Sequence, residues 1–138
     1  MHHLRLPLAI LLSALAILTG SCGTRSSEHK IVALTVTPAT ATSTGPVQFT
    51  ATGQYNSPPY SEVPAQVSWG ACLQGAPTND VSVTTTGIAQ CNQGVTGSYT
   101  IWANSPTDTG GPVCLAIGLC GISCGTVRGT AELTCGSN

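Results

Sequence analysis

The sequence predicts an all-β sandwich of about seven strands that is stapled by disulfides. Short segments in which apolar and polar residues alternate recur along the chain, and glycine or proline separates them. Charged residues make up only 7% of the chain, so long amphipathic helices are not expected. Seven cysteines in 138 residues indicate an exported domain with disulfide bonds.

The first residues predict export. Arg5 precedes an apolar run from Leu6 to Leu18, which is too short to span a bilayer comfortably and is typical of the central region of a signal peptide. The run leads into Leu18-Thr19-Gly20-Ser21-Cys22. This segment resembles the lipobox of bacterial lipoproteins, although that family prefers an aliphatic residue where Thr19 stands. The alternative is cleavage by an ordinary signal peptidase at nearby small residues.

The lipobox resemblance divides the chain into three parts. It implies a signal peptide over residues 1–21, a lipid-anchored flexible tether over 22–30 and one domain over 31–138, with Cys22 as the lipidated residue. Acyl chains anchor a soluble domain stably to a membrane. Gly23 stands where some bacteria place an aspartate that retains lipoproteins in the inner membrane. We therefore expect a cell-envelope protein at the outer membrane or cell surface rather than at the inner membrane.

The mature chain contains seven predicted strands. In the first of them, Val32, Leu34 and Val36 share one face. In the third strand we expect Trp69 to be a core residue between the sheets. The sixth has Tyr99, Ile101 and Ala103 on one face. The predicted strands cover residues 31–37, 47–55, 65–69, 81–83, 87–93, 98–104 and 126–135.

Five segments of the mature chain form a recognisable series. In order, they are Leu34-Thr35-Val36-Thr37-Pro38-Ala39, Gln48-Phe49-Thr50-Ala51-Thr52-Gly53, Val67-Ser68-Trp69, Thr86-Gly87-Ile88-Ala89 and Gly97-Ser98-Tyr99-Thr100-Ile101. Together they resemble the bacterial immunoglobulin-like domain of group 2, a module of intimin- and invasin-like adhesins. The resemblance covers nearly all of residues 31–135 and implies an immunoglobulin-like β-sandwich with a role in adhesion at the cell surface. The chain departs from the family in its cysteines and in an insertion over 105–125.

Apart from Cys22, six cysteines remain, which suits three disulfides but permits 15 pairings. We expect Cys72 to pair with Cys91 and the last four cysteines to pair among themselves, holding the insertion on the final strand. Four thiolates could instead bind zinc, but the last four lack the paired C-x2-C spacing of zinc knuckles. The six disulfide candidates are Cys72, Cys91, Cys114, Cys120, Cys124 and Cys135.

Charge and residue types argue against several function classes. From Ile31 onward Arg128 is the only cation, so we expect no binding of nucleic acid. No histidine follows His29, and no serine lies in a recognisable nucleophile motif. We therefore predict no enzyme, no cofactor and no metal. A carboxylate or Ca²⁺ site, or a cryptic hydrolase, stays an alternative if folding brings together Glu62 with Asp80 or Asp108.

A possible binding surface is predicted around Trp102, whose side chain points outward in its strand. Near Tyr55 or Tyr60 it could stack on a sugar or a protein. The alternative is that the apolar insertion over 105–125 covers it, as a lid or as a binding site itself. We thus expect a non-catalytic envelope module for surface interaction or spacing, with the membrane and an unknown protein or glycan as partners. The alternative function is a carbohydrate-binding β-sandwich.

Overall fold

A computed structural model describes residues 29–107, 120 and 125–136. Within them the protein is all-β, as predicted, with eleven strand segments and no helix. The segments are β1 (Ile31–Thr37), β2 (Thr40–Ser43), β3 (Val47–Gln48), β4 (Thr50–Tyr55), β5 (Ser61–Glu62), β6 (Ser68–Leu73), β7 (Ala76–Pro77), β8 (Val81–Val83), β9 (Ile88–Cys91), β10 (Gly97–Pro106) and β11 (Thr126–Cys135).

The strands form the two layers of an immunoglobulin-like sandwich. The first layer combines the sheets β1-β4-β5 and β3-β9-β8, because β3 runs into β4 through Phe49. The second layer is the five-stranded sheet β2-β11-β10-β6-β7. All pairings are antiparallel except that of β2 with β11. Buried side chains of both layers meet in one hydrophobic core.

The strand count exceeds the predicted seven for local reasons. β1 ends just before Pro38, and the next segment, β2, pairs with β11 in the other layer. The first predicted strand is therefore followed by a segment that was not predicted. Phe49 divides the second predicted strand into β3 and β4. Two further strands, β5 and β7, are two residues long. Segments this short carry no alternation that a sequence pattern could reveal.

Buried side chains that alternate with outward ones along β10 and β11 form most of the inner face of the second layer. Tyr99, Ile101 and Ala103 are buried as predicted, and Leu133 faces them from the neighbouring strand. Phe49 covers this face from the first layer, and its exposed fraction is 0%. Truncating a fully buried phenylalanine to alanine typically costs about 3 to 5 kcal/mol. The core therefore depends on a few large side chains.

Two strand predictions are corrected by backbone irregularities. A register shift between Ile31 and Ala33 buries Ile31 and leaves Val32 55% exposed, because a bulge interrupts the two-residue period. The predicted strand over 65–69 is also wrong in its bounds, since β6 begins at Ser68. Trp69 is half-buried and packs against the core, as expected of it.

The predicted disulfide pairing is wrong. Cys72 pairs with Cys120 and Cys91 with Cys135, with Cα–Cα distances of 6.0 and 5.9 Å. Cys91 and Cys135 point inward and join the two layers, whereas Cys72 lies on the outer side of β6. Cys72 and Cys91 therefore face different parts of the molecule. Cys114 and Cys124 lie outside the described residues, as do Cys22 and Asp108.

The insertion leaves the sandwich later than predicted. β10 continues through Pro106, and β11 begins at Thr126, so the ladder extends beyond the predicted start of the insertion at residue 105. The Thr107 N–H donates to the Gly125 carbonyl at 2.7 Å, and this hydrogen bond closes the base of the insertion. Ser105 and Pro106 line a small groove with Ile31 and Tyr55. The insertion therefore leaves the same end of the sandwich at which the chain enters β1.

Candidate functional site

The outer side of the five-stranded sheet carries the most concentrated group of recognition side chains. We call it the Trp102 face. Side chains alternate across a strand, so the residues between the buried ones on β10 and β11 point away from the core. The face consists of Ser68 and Gly70 on β6, Thr100, Trp102 and Asn104 on β10, and Arg128, Thr130 and Glu132 on β11.

Trp102 lies over Gly70, its neighbour across the ladder. A Cβ atom on Gly70 would meet three atoms of the indole, with the Nε1 atom 2.9 Å away. Real Cβ contacts are never so short, so the indole occupies the space that any other residue's side chain would need. Gly70 therefore allows Trp102 to lie flat on the sheet as an aromatic surface.

Arg128 adds a charge to this aromatic surface. Its Cζ atom lies 5.6 Å from the centroid of the Trp102 ring, within the range of a cation–π interaction. Burial lowers the pKa of the Arg128 guanidinium from its ordinary value. The group still carries its charge, because arginine does not lose its proton in proteins. A partly desolvated cation beside an indole is a strong recognition element for carboxylates or for planar polar groups.

Two polar atoms of the face are buried without a hydrogen bond to any described residue. They are Asn104 Oδ1 and Arg128 Nε, which belong to directly opposed residues of β10 and β11. Buried polar groups almost always have partners, because an unpaired one costs about 1 to 3 kcal/mol. The Trp102 face therefore contains one acceptor and one donor that are shielded from solvent and have no hydrogen-bond partner among the described residues.

The Cys72–Cys120 disulfide borders the face. Cys72 lies opposite Thr100 on the outer side of β6 and is 2% exposed. The bond therefore brings Cys120, 48 residues later, onto the same side of the sheet as Trp102. The predicted proximity of the insertion to Trp102 is thus supported at this one described position.

Hydroxyl groups and a carboxylate extend the Trp102 face toward the edge strand β2. Ser98 Oγ donates to Glu132 Oε1 at 2.6 Å. A groove of about 360 Å³ runs beside them and is lined by Thr40, Thr100 and Thr130 among others. Such a surface offers many hydrogen-bond donors and acceptors but little apolar area.

Tyr55 and Tyr60 do not belong to the Trp102 face. Both lie at one end of the first layer, where Tyr55 N–H donates to the Tyr60 carbonyl at 2.9 Å. Tyr60 is 64% exposed, whereas Tyr55 is half-buried and its ring stacks on the imidazole of His29 at 4.2 Å. The structure therefore places the three predicted aromatic residues in two separate regions.

His29, assigned to the tether in the sequence, is held on the domain. Its Nδ1 atom lies 3.1 Å from Ser57 Oγ, and its Nε2 atom lies 3.0 Å from Glu62 Oε1. Lys30 N–H donates to the Asn56 side chain at 2.8 Å, and Asn56 N–H donates back to the Lys30 carbonyl. Two residues of the predicted tether, His29 and Lys30, are therefore bound to the sandwich.

The remaining carboxylates lie in separate environments. Asp80 accepts a hydrogen bond from the Tyr99 hydroxyl at 3.3 Å. Burial of the Tyr99 ring, reinforced by the charge of Asp80, raises the pKa of the phenol. Glu62 pairs with His29 instead. Among the described residues no three histidine, cysteine or acidic side chains come together as a metal site would require.

A second concave region lies between the two layers. It has a volume of about 270 Å³, and Trp69, Val63, Pro64 and Val67 are among its lining residues. Polar lining residues include Gln48, whose Nε2 donates to the Thr86 carbonyl at 2.8 Å. None of the described residues that line this open cleft is charged.

The sequence indicated Trp102 but not its neighbours. Arg128 could have been found, because it occupies an outward position in a strand whose bounds were predicted correctly. Gly70 was missed because the third strand was expected to end at Trp69. Asn104 lies on the outward face of the predicted strand over 98–104, but neither its position opposite Arg128 nor the position of Cys120 has a local signal. Their places follow from the pairing of β10 and from a disulfide.

No protein-family model matches the chain, and no curated protein matches it. The resemblance to the group 2 immunoglobulin-like domain thus stays a prediction. Within the described residues, the structure contains no helix of the length and apolarity needed to cross a membrane.

Proposed function

We propose that the protein is a non-catalytic module of the bacterial cell envelope, anchored by lipid at Cys22, that binds a partner through the Trp102 face. One arrangement carries the binding proposal: on the outer side of the sheet the Trp102 indole lies over Gly70, and Arg128 Cζ lies 5.6 Å from its centroid. Aromatic and arginine side chains are the commonest hot spots of binding interfaces. Arg128 is also the only cation of the domain from Ile31 onward.

The anchor proposal is supported by the sequence before the domain. The apolar run to Leu18 and the small residues before Cys22 fit an exported lipoprotein. Two disulfides among the described cysteines fit an oxidising compartment. Intact-mass measurement tests the anchor: we expect cleavage before Cys22 and the added mass of lipid. An unlipidated mass would contradict it.

Site-specific photo-crosslinking in the native cell envelope tests the binding face. A benzophenone amino acid at Thr130 would lie beside Trp102, whereas one at Thr35 on the exposed side of β1 serves as the matched control. We expect a discrete adduct from position 130 that disappears with Trp102→Ala, and none from position 35. Equal adducts at both positions, or none at either, would contradict the assignment of this face.

A glycan is the second candidate for the partner. The groove lined by Thr40, Thr100 and Thr130 supports it, because it adds hydroxyl groups and the Glu132 carboxylate next to an indole. Sugars stack on aromatic rings and satisfy such polar groups. Glycan-array binding that Trp102→Ala abolishes and Tyr60→Ala leaves unchanged would favour this candidate. Binding that depends equally on both residues would oppose it.

A non-catalytic role is part of the same proposal. Of the described carboxylates, Glu62 lies with His29, Asp80 with Tyr99 and Glu132 with Ser98, each in a different part of the sandwich. A glycosidase needs two carboxyl groups about 5 to 10 Å apart across a cleft. The separate partners of these groups favour binding over hydrolysis.

A further inference from the structure

The chain enters the sandwich through a fastened segment. The His29 imidazole stacks on Tyr55 and contacts both Ser57 and Glu62. Reciprocal hydrogen bonds between Lys30 and Asn56 continue the ladder of β1 and β4 beyond Ile31. The chain is therefore held on the domain from His29 onward, and it enters the sandwich at one end. We call this the entry end.

The tether is short compared with the domain. Six residues separate Cys22 from His29. Fully extended, the connection spans at most about 25 Å, and as a flexible coil it spans about 15 Å. The seven residues of β1 are themselves about 23 Å long. A lipid on Cys22 therefore keeps the entry end within about one strand length of the bilayer surface.

Among the described residues, the most exposed large apolar side chains lie toward the entry end. Val32, Tyr60 and Val63 are 55%, 64% and 67% exposed. Val32 is the second residue of β1, and the Tyr60 carbonyl accepts a hydrogen bond from the Tyr55 N–H at the end of β4. Val63 directly follows β5, which pairs with the C-terminal part of β4. The next most exposed, Leu73 and Ile88, reach only 36% and 37% and lie toward the other end. Exposed apolar groups are thus unevenly distributed along the sandwich.

The charge of the entry end suits a lipid surface. Among its described residues Glu62 is the acidic side chain, and it is paired with His29 at 3.0 Å. Lys30 is positive and would be attracted to anionic lipids. Tyrosine is enriched at membrane interfaces, because its ring is apolar and its hydroxyl group is polar.

From this placement we infer that the entry end of the sandwich lies against the lipid bilayer, with Tyr60 at the level of the headgroups and Val32 and Val63 beside it. The inference rests on the lipid anchor proposed above. The anchor holds the entry end at a high local concentration of lipid, so a contact too weak for a free protein becomes populated. The Trp102 face then stands beside the membrane, available to a partner.

The experiment uses the full lipidated protein in vesicles of phosphatidylethanolamine and phosphatidylglycerol. All three tyrosines are replaced by 3-fluorotyrosine, and Tyr60→Phe identifies the signal of Tyr60. A lipid with a nitroxide on its headgroup then broadens the ¹⁹F signals of nearby rings. Tyr99, which is 4% exposed on the inner face of β10, is the internal control.

We expect the Tyr60 signal to broaden several-fold more than the Tyr99 signal. Equal broadening of the two signals in protein that floats with the vesicles would overturn the inference and leave the anchor intact. Protein that does not float with the vesicles would overturn the proposed anchor, and the membrane contact with it. The two failures are therefore distinguishable.

A pair of matched variants tests the apolar contact itself. Val32→Ser with Val63→Ser should reduce the broadening of Tyr60 at least several-fold. Leu73→Ser with Ile88→Ser removes two apolar side chains of smaller exposure elsewhere and should leave the broadening unchanged. A reduction in both variants, or in neither, would overturn the contact.

Discussion

The two tryptophans stand on neighbouring strands of one sheet but on opposite faces. Trp69 of β6 points inward and pairs with Ala103, whereas Trp102 of β10 points outward and pairs with Gly70. Each indole lies over a glycine. The glycine below Trp102 is Gly70, and the one against Trp69 is Gly87 from the turn before β9.

The surroundings of the two rings differ. Gly87 has a φ of 84°, and a Cβ there would collide with the Phe49 carbonyl as well as with Trp69. Backbone of the other layer, at Gly87, thus lies against the inner ring. The outer ring instead lies over Gly70 of its own sheet and beside the Arg128 side chain. The inner face therefore packs on the core, whereas the outer face carries polar atoms beside an aromatic surface, which is where we propose that a partner binds.

Each face also has a disulfide, and these bonds carry the largest expected effects. Cys91 and Cys135 close 44 residues on the inner side, while Cys72 and Cys120 close 48 on the outer side. Loop-closure entropy predicts a loss of about 4 kcal/mol in the free energy of unfolding for either pair changed to alanine. Urea denaturation measures both. If removal of the Cys72–Cys120 bond lowers the free energy of unfolding by less than about 1 kcal/mol, this disulfide constrains the unfolded chain little.

Truncating the two tryptophans should separate the faces. Trp69→Ala opens a cavity next to the core, and we expect it to lower the free energy of unfolding by about 3 kcal/mol. Trp102→Ala removes a half-exposed ring and a cation–π contact, which predicts a loss of about 1 kcal/mol. Thermal and urea denaturation of both variants provide the comparison. Equal losses would contradict the division between a stabilising and a recognising face.

The glycine below each ring offers a finer test. Gly70→Ala should cost about 2 kcal/mol, because the new methyl group displaces Trp102, and it should cost almost nothing in a Trp102→Ala background. Gly87→Ala should stay costly in a Trp69→Ala background, since its positive φ and the Phe49 carbonyl are unchanged. A double-mutant cycle measures both couplings. Strong coupling between Gly87 and Trp69 would show that the indole, rather than the backbone, is the reason why glycine is needed at position 87.

The smallest expected effect concerns pH on the inner face. The pKa of Tyr99 is raised above its ordinary 10.0, so the folded protein holds the phenol proton more tightly than the unfolded chain does. Its contribution to stability is fully present below pH 10.0 and is lost as the pH rises above it. Urea denaturation should show a steeper alkaline loss for the wild type than for Tyr99→Phe, with Tyr60→Phe as the control. Equal slopes would contradict the raised pKa of Tyr99, to which burial contributes most and Asp80 second.

Much of the fold could be predicted, because alternation of apolar and polar residues reports which side of a strand is buried. The bounds of β1, β8 and β11 were predicted correctly, and those of β10 nearly so. The pattern failed at Val32, where a bulge shifts the register. It also failed before Ser68, because β6 begins where its pairing with Asn104 begins and not where the alternation does.

The candidate site could be predicted only in part. The outward direction of Trp102 follows from the burial of Ile101 and Ala103 on either side of it. Its setting draws on three strands, since Gly70 comes from β6 and Arg128 from β11. No local pattern brings these residues together. The location of Tyr55 and Tyr60 away from Trp102 likewise depends on which sheet each strand joins.

By itself the sequence determined the all-β class and the inner and outer faces of most strands, because both depend on neighbours along the chain. Tertiary structure decided the disulfide partners, the surroundings of Trp102 and the fastening of His29. Six cysteines permit 15 pairings, and the choice depends on which Cα atoms come within about 6 Å of each other. That distance is set by how the two layers pack, which no single segment of the chain encodes.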